Sequence, residues 1–263
     1  SVNGFVLKND VKVYGGFPNI GNPIFVNRNP STYISVLSGE NTRRVFRNSF
    51  TPENLLTNTA VLDGFTISNG YFIGNGAGMY NSNASPILRN LRFENNHSDT
   101  GNGGAIYNTI SSSPDIVNCQ FFENSGYNGG AVFNTSVSTP KIMNCLFVAN
   151  TAENSGGAIY ANNASSYQLI NSTIYNNTAT LAGGLHSGVS TTLPKVKNSI
   201  IYGNGEQIRN ANSAITEVEY SLIEGGYTGT GNIDLDPLFV SIASNNYRLQ
   251  PCSPAINVGS NAA

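Results

Sequence analysis

The sequence predicts an all-β chain wound as a single-stranded, right-handed parallel β-helix, a solenoid of about nine coils of about 27 residues each. Three observations lead there. Residues 128–150, NGGAVFNTSVSTPKIMNCLFVAN, match residues 102–124, NGGAIYNTISSSPDIVNCQFFEN, at thirteen of twenty-three positions without a gap. The same motif recurs as NGAGMYN from 75, SGGAIYA from 155 and AGGLHS from 182, each followed by a second signature such as NLRFENN from 90, NSTIYNN from 171 and NSIIYGN from 198. Finally, the apolar stretches are short, β-branched or aromatic, and bounded by Gly, Asn, Ser and Pro, whereas a helical repeat needs longer uninterrupted segments.

Composition sets the class of surface. Charged residues are 11% of the 263, the net charge is −2, and there are 28 Gly, no Trp and 40 Asn. Such a chain offers no basic field for nucleic acid or anionic lipid, and neutral amides and hydroxyls replace charge as the polar groups. No stretch is long and apolar enough to cross a bilayer as a helix, so no membrane insertion by this segment is expected. The opening SVNGFVLKND lacks the regions of a signal peptide, and the chain is expected to be part of a larger protein. Cys119, Cys145 and Cys252 fit neither a redox nor a zinc spacing.

The elements follow in chain order. Residues 1–60 hold irregular coils with weak copies at VKVYGGF and YISVLSG, residues 61–205 the regular repeats, and residues 206–263 further coils and a cap-like segment. Within a repeat, Ile116 and Phe121 lie an odd five positions apart, so alternation cannot put both inside without a corner, placed at Val117 and Asn118. Asn occupies that corner in five coils, as Asn90, Asn118, Asn144, Asn171 and Asn198. Asn tolerates positive φ, and amides stacked one coil apart can hydrogen-bond as a ladder, so these five are the expected structural ladder. Asn96, Asn124, Asn150, Asn177 and Asn204 are expected to repeat the device at the next corner. Leu88, Ile116, Ile142, Leu169 and Val196 form one inward column, and Phe93, Phe121, Phe147, Ile174 and Ile201 another. Cys119 and Cys145 are neighbours in a third, as stacked thiols.

With GGAIYN, GGAVFN and the FxxN steps FFEN and FVAN in place, the chain resembles the polymorphic outer-membrane-protein repeats and related pectin-lyase-like secreted repeat proteins of bacteria. The likeness extends to LDGFTISNG, DLDPLFV and YRLQPCSPAINVGS. It implies an extracellular or cell-surface setting, and a structural role for Asp63 in LDGF.

An enzyme of this fold class would need paired carboxylates or a basic residue beside an acid cluster. The nearest pair is Asp99 and Glu153, expected two coils apart with Tyr127 between them; solvated turn residues are the simpler reading. Asp234 and Asp236 are expected to cap a turn, and His97 and His186 to lie separately on the surface. No cofactor and no metal are expected. A surface remains: if Met79, Ile106, Val132 and Ile159 point inward, then Tyr80, Tyr107, Phe133 and Tyr160 stack outward as a stripe bordered by Asn81, Asn108 and Asn134. Aromatic rings beside amides suit sugars.

The functional expectation is a non-catalytic extracellular or cell-surface module acting in adhesion or carbohydrate binding, or as an elongated spacer. A polysaccharide lyase or glycoside hydrolase, and a structural subunit stacking into filaments, are the alternatives. Expected partners are a glycan or host-surface polymer, other copies through end-to-end stacking, or flanking domains, with no nucleic acid.

Overall fold

The computed structural model describes residues 4–189 and 191–261. Three parallel sheets run the length of a solenoid, and each rung takes one strand from each sheet. The first sheet stacks seven strands, from Phe46–Ser49 through Ile106–Thr109 to Ile208–Asn210. The second and third stack eight each, from Lys12–Tyr14 to Glu217–Glu219 and from Val36–Ser38 to Leu222–Ile223. Seven rungs are therefore complete, with six full turns between the first and the last, fewer than the nine coils expected. The shortfall lies at the ends. Residues 17–35 form a strap instead of a rung, and residues 239–249 fold back as an antiparallel hairpin, Phe239–Ser241 with Asn246–Leu249.

A fourth sheet of four strands, Tyr71–Ile73, His97–Asp99, Ser125–Asn128 and Thr151–Ser155, was not foreseen. Its strands have no apolar alternation, and their pairing follows from the register of the neighbouring rungs.

Inward columns form as the alternation dictates. Leu88, Ile116, Ile142 and Leu169 are aligned in register and fully buried, as are Phe93, Phe121 and Phe147. The three phenyl rings stack 5.1 and 4.4 Å apart within 3° of parallel. Each such side chain contributes about 1.5–3 kcal/mol by burial, and like shapes lie directly above one another. Cys119 and Cys145 are buried free thiols in adjacent rungs, and burial pushes the Cys119 thiol well up.

Corners and turns follow backbone chemistry. Asn90, Asn118, Asn144, Asn171 and Asn198 all have φ between +51° and +54°. The corner is Asn118 with Cys119, while Val117 still belongs to the strand Asp115–Val117. In the GG pair, Gly129 takes φ +60°, and a Cβ on Gly130 would collide with the carbonyl oxygens of Gly157 and Thr151. One glycine turns the chain and the other lets two rungs touch.

The ends differ. Val13 tops an inward column and is 38% exposed, whereas Val218 and Ile223 at the opposite end are 2% and 1% exposed. Residues 227–233 close that end. The Tyr227 hydroxyl donates to the Thr216 carbonyl at 3.1 Å, and Ile233 pairs with Leu222.

Candidate functional site

The amides do most of their bonding inside the coil. Asn96, Asn124, Asn150, Asn177 and Asn204 are buried; the first four each donate from Nδ2 to the Oδ1 of the next at 2.8–2.9 Å, and Asn204 donates to Gln207 at 2.8 Å. Positive φ in this turn falls one residue earlier, at Asn95, Glu123, Ala149 and Asn176. A second ladder was hidden in the YN dipeptide: Asn48, Asn81, Asn108 and Asn134 are fully buried, with Nδ2–Oδ1 bonds of 2.9 Å. These residues point inward, so they do not border the aromatic stripe as expected. Strict alternation from Tyr107 would have placed them. The ladder stops at Asn134, whose Nδ2 has no partner because the next rung carries Ala161. A third ladder joins Asn75, Asn102, Asn128 and Asn154 at 2.8–3.2 Å.

The corner column behaves differently. Asn118 donates to Asn90 at 2.5 Å, and Asn90 donates to Asp63 at 2.9 Å. Asn144 and Asn171 are exposed, and their side-chain amides have no hydrogen-bond partner among the described residues. Asn198 instead grips the tail, accepting from the Ser260 N–H at 2.8 Å and donating to its carbonyl at 2.9 Å.

Of the two phases that alternation allows, the aromatic column takes the outward one. Met79, Ile106, Val132 and Ile159 are fully buried, while Tyr80, Tyr107 and Tyr160 are half-buried on the outer face. Tyr80, Tyr107 and Phe133 stack at 5.4 Å, within 13° of parallel, and Tyr160 meets Phe133 at 5.2 Å and 62°. Stacking uses the ring faces, so the column offers edges and hydroxyls outward. Register adds Arg47 before Tyr80, and His186 then Arg209 after Tyr160. His186 packs on Tyr160 at 4.8 Å and is only 4% exposed, not a surface residue. Burial, then the nearby Arg209, lowers its pKa and keeps the ring neutral. Arg44 lies 3.8 Å over Phe72 and 4.9 Å over Tyr80, and burial pushes its guanidinium down to about 10.

Asp99 lies on the fourth sheet, where it accepts a 2.9 Å bond from the Tyr71 hydroxyl; this bond raises the phenol pKa. His97, on the same strand, bonds the Ser125 hydroxyl at 2.7 Å. Glu153 is exposed, and its backbone carbonyl accepts from Thr180. Neither a hydrogen bond nor an ion pair links the two acids. Asp234 and Asp236 accept the Gly225 and Leu238 N–H groups and so cap turns.

Asp63 is a buried acid. Arg28 of the strap, Arg89 and Asn90 converge on its carboxylate, and Arg28 also donates to the Gly15 carbonyl. Burial alone would raise its pKa, but the bonds from Asn90, Arg28 and Arg89 outweigh it and lower the value.

Stacked like residues, continuous inward columns and amide ladders define a parallel β-helix repeat protein. Two segments, residues 90–109 and 144–162, match the Chlamydia polymorphic membrane protein repeat. The chain is a polymorphic-membrane-protein-like β-helix repeat protein, and the repeat suggests a surface, adhesin-like role. No curated protein and no solved structure matches the chain.

Proposed function

We propose that the chain is a non-catalytic extracellular or cell-surface module that acts in adhesion, holding a glycan or host-surface polymer along the outer aromatic column. The observation that carries this reading is the outward column of the half-buried Tyr80, Tyr107 and Tyr160, continued through the 6%-exposed ring of Phe133, with Arg47 before it in register and His186 then Arg209 after it. Its four rings cover roughly 15 Å at about 4.8 Å per rung, long enough to meet several sugars. Hydroxyl edges beside apolar rings suit a ligand that is polar at its rim and apolar on its faces. The low charge and the match to a surface-protein repeat support the setting.

A glycan array, paired with binding to cultured host cells, tests the reading. Tyr107→Ala should lower binding at least tenfold with an unchanged circular dichroism spectrum. No binding on either platform, or binding indifferent to Tyr107→Ala, removes the aromatic column from the account.

The open rung at Val13 supports a second reading, a structural subunit that assembles through that end. Because residues 227–233 close the other end, the product would be a finite assembly rather than a filament. Sedimentation of the chain against Val13→Lys decides: assembly that the variant abolishes supports it, and a monomer at all concentrations ends it.

A further inference from the structure

The fourth sheet carries a cluster of polar side chains that neither the aromatic column nor the amide ladders use. His97 and Asp99 are two positions apart on one strand, so they share its outer face. The strand Tyr71–Ile73 on one side and Ser125–Asn128 on the other set Tyr71 and Ser125 beside His97 in register.

Each of the two central groups is held at one atom and free at another. His97 Nδ1 is bonded to the Ser125 hydroxyl at 2.7 Å, and Asp99 Oδ2 accepts from the Tyr71 hydroxyl at 2.9 Å. The Tyr71 ring also packs on the imidazole, with centroids 5.7 Å apart and planes 32° from parallel. What remains is His97 Nε2 facing Asp99 Oδ1 across 4.0 Å, beyond hydrogen-bond length. In the tautomer that donates from Nδ1 to Ser125, Nε2 keeps its lone pair, so two acceptors face each other with no proton between them. Their side chains are 44% and 39% exposed, which leaves the gap open to solvent.

We infer that His97 and Asp99 form a surface site for a divalent transition ion of the zinc class, with Ser125 and Tyr71 as positioning residues. Imidazole and carboxylate ligands of metals are ordinarily held through their second atom in this way. Zinc bonds nitrogen and oxygen at about 2.0–2.2 Å, which sets two tetrahedral ligands about 3.4 Å apart. The pair therefore has to close by about 0.6 Å from its 4.0 Å separation, a movement that half-exposed side chains can make. An imidazole ligand selects zinc, nickel or copper over calcium and magnesium, which take oxygen throughout. No third His, Cys, Asp or Glu joins the pair among the described residues, so water fills the other positions and the ion exchanges readily. Both positioning residues lie 28 positions along the chain from the group they hold, so local spacing did not announce the site.

Calorimetric titration of the untagged chain with zinc chloride tests it, in a Cys252→Ser background that removes the exposed thiol. The chain should bind one ion, and His97→Gln and Asp99→Asn should each weaken binding at least tenfold at an unchanged Tm. Tyr71→Phe and Ser125→Ala keep both ligands and should each cost about tenfold in affinity, also at an unchanged Tm. Magnesium should not compete, and Tyr107→Ala should leave zinc affinity unaltered, so the site and the aromatic column fail separately. No binding at millimolar zinc overturns the site. Binding that survives either ligand variant, or that magnesium matches, overturns it too, and affinity indifferent to both Tyr71→Phe and Ser125→Ala overturns the positioning role.

Discussion

At Asn124 one amide makes four hydrogen bonds. Its Oδ1 accepts from the N–H and the Nδ2 of Asn96, and its Nδ2 donates to the Phe93 carbonyl and to Asn150. Removing it strands buried groups on both neighbouring rungs, each costing about 1–3 kcal/mol. Asn124→Ala is therefore expected to lower stability by about 2–4 kcal/mol in urea denaturation. Asn144→Gly, on an exposed corner that glycine adopts freely, should stay within about 0.5 kcal/mol of the wild type. Equal losses in the two variants would mean that the inner and outer columns are not distinguished as described. Ala149 holds φ +54° where the equivalent rungs carry Asn95 and Asn176. Left-handed backbone costs a non-glycine residue about 1–2 kcal/mol, and Asn recovers part of that. Ala149→Asn should accordingly stabilise the chain by about 0.5–1 kcal/mol, read as a shift in the urea midpoint at constant m-value.

Among the elements, the strap is held by charge where the rungs are held by amides. Asp63 is nearly excluded from solvent and is the meeting point of Arg28 and Arg89. Its folded pKa is depressed, so its contribution is complete above the ordinary carboxylate value of about 3.9 and is lost as pH falls through the lower folded value. Protection of the amides across residues 28–35, measured relative to their intrinsic exchange rates, should therefore fall on acidification below about pH 4, while the central rungs remain protected. Uniform protection down to pH 2 would contradict the latch. The same elements show what sequence can and cannot reveal. The corner at Asn118 was legible because positive φ restricts residue choice at a fixed repeat position. The Arg28–Asp63 contact spans 35 residues and joins a segment with no repeat to one that has it, so no local signal announces it. His186 also escaped, because its burial depends on Tyr160 one rung away and not on its own neighbours in the chain.

For the molecule as a whole, periodicity was readable and termination was not. The inward columns and the three-sheet rung follow from one alternating pattern repeated, whereas alternation alone leaves either face of the Ile106–Thr109 strand free to point inward, so the outward phase of Tyr107 was not readable. Where repetition fails, at residues 17–35 and 239–249, the expected coils became a strap and a hairpin, because no copy above or below fixes their register. The two ends should accordingly differ in local stability. Hydrogen exchange is expected to be fastest at Lys12–Tyr14 and Val36–Ser38, slowest in the middle rungs, and intermediate at Glu217–Glu219. Tyr227→Ala should raise exchange at Glu217–Glu219 without reaching Lys141–Met143; a change spread over the whole chain would mean the rod unfolds as a single cooperative unit.

Because Asn150 meets Asn177 as Asn124 meets Asn150, any rung can serve as neighbour to any other of its kind. A duplicated stretch of 27 residues, the separation of Asn150 from Asn177, would find every contact it needs already prepared. The rod can thus change its reach by whole steps of about 4.8 Å while its girth and outer chemistry stay as they were, and length becomes a property that gene duplication can set directly.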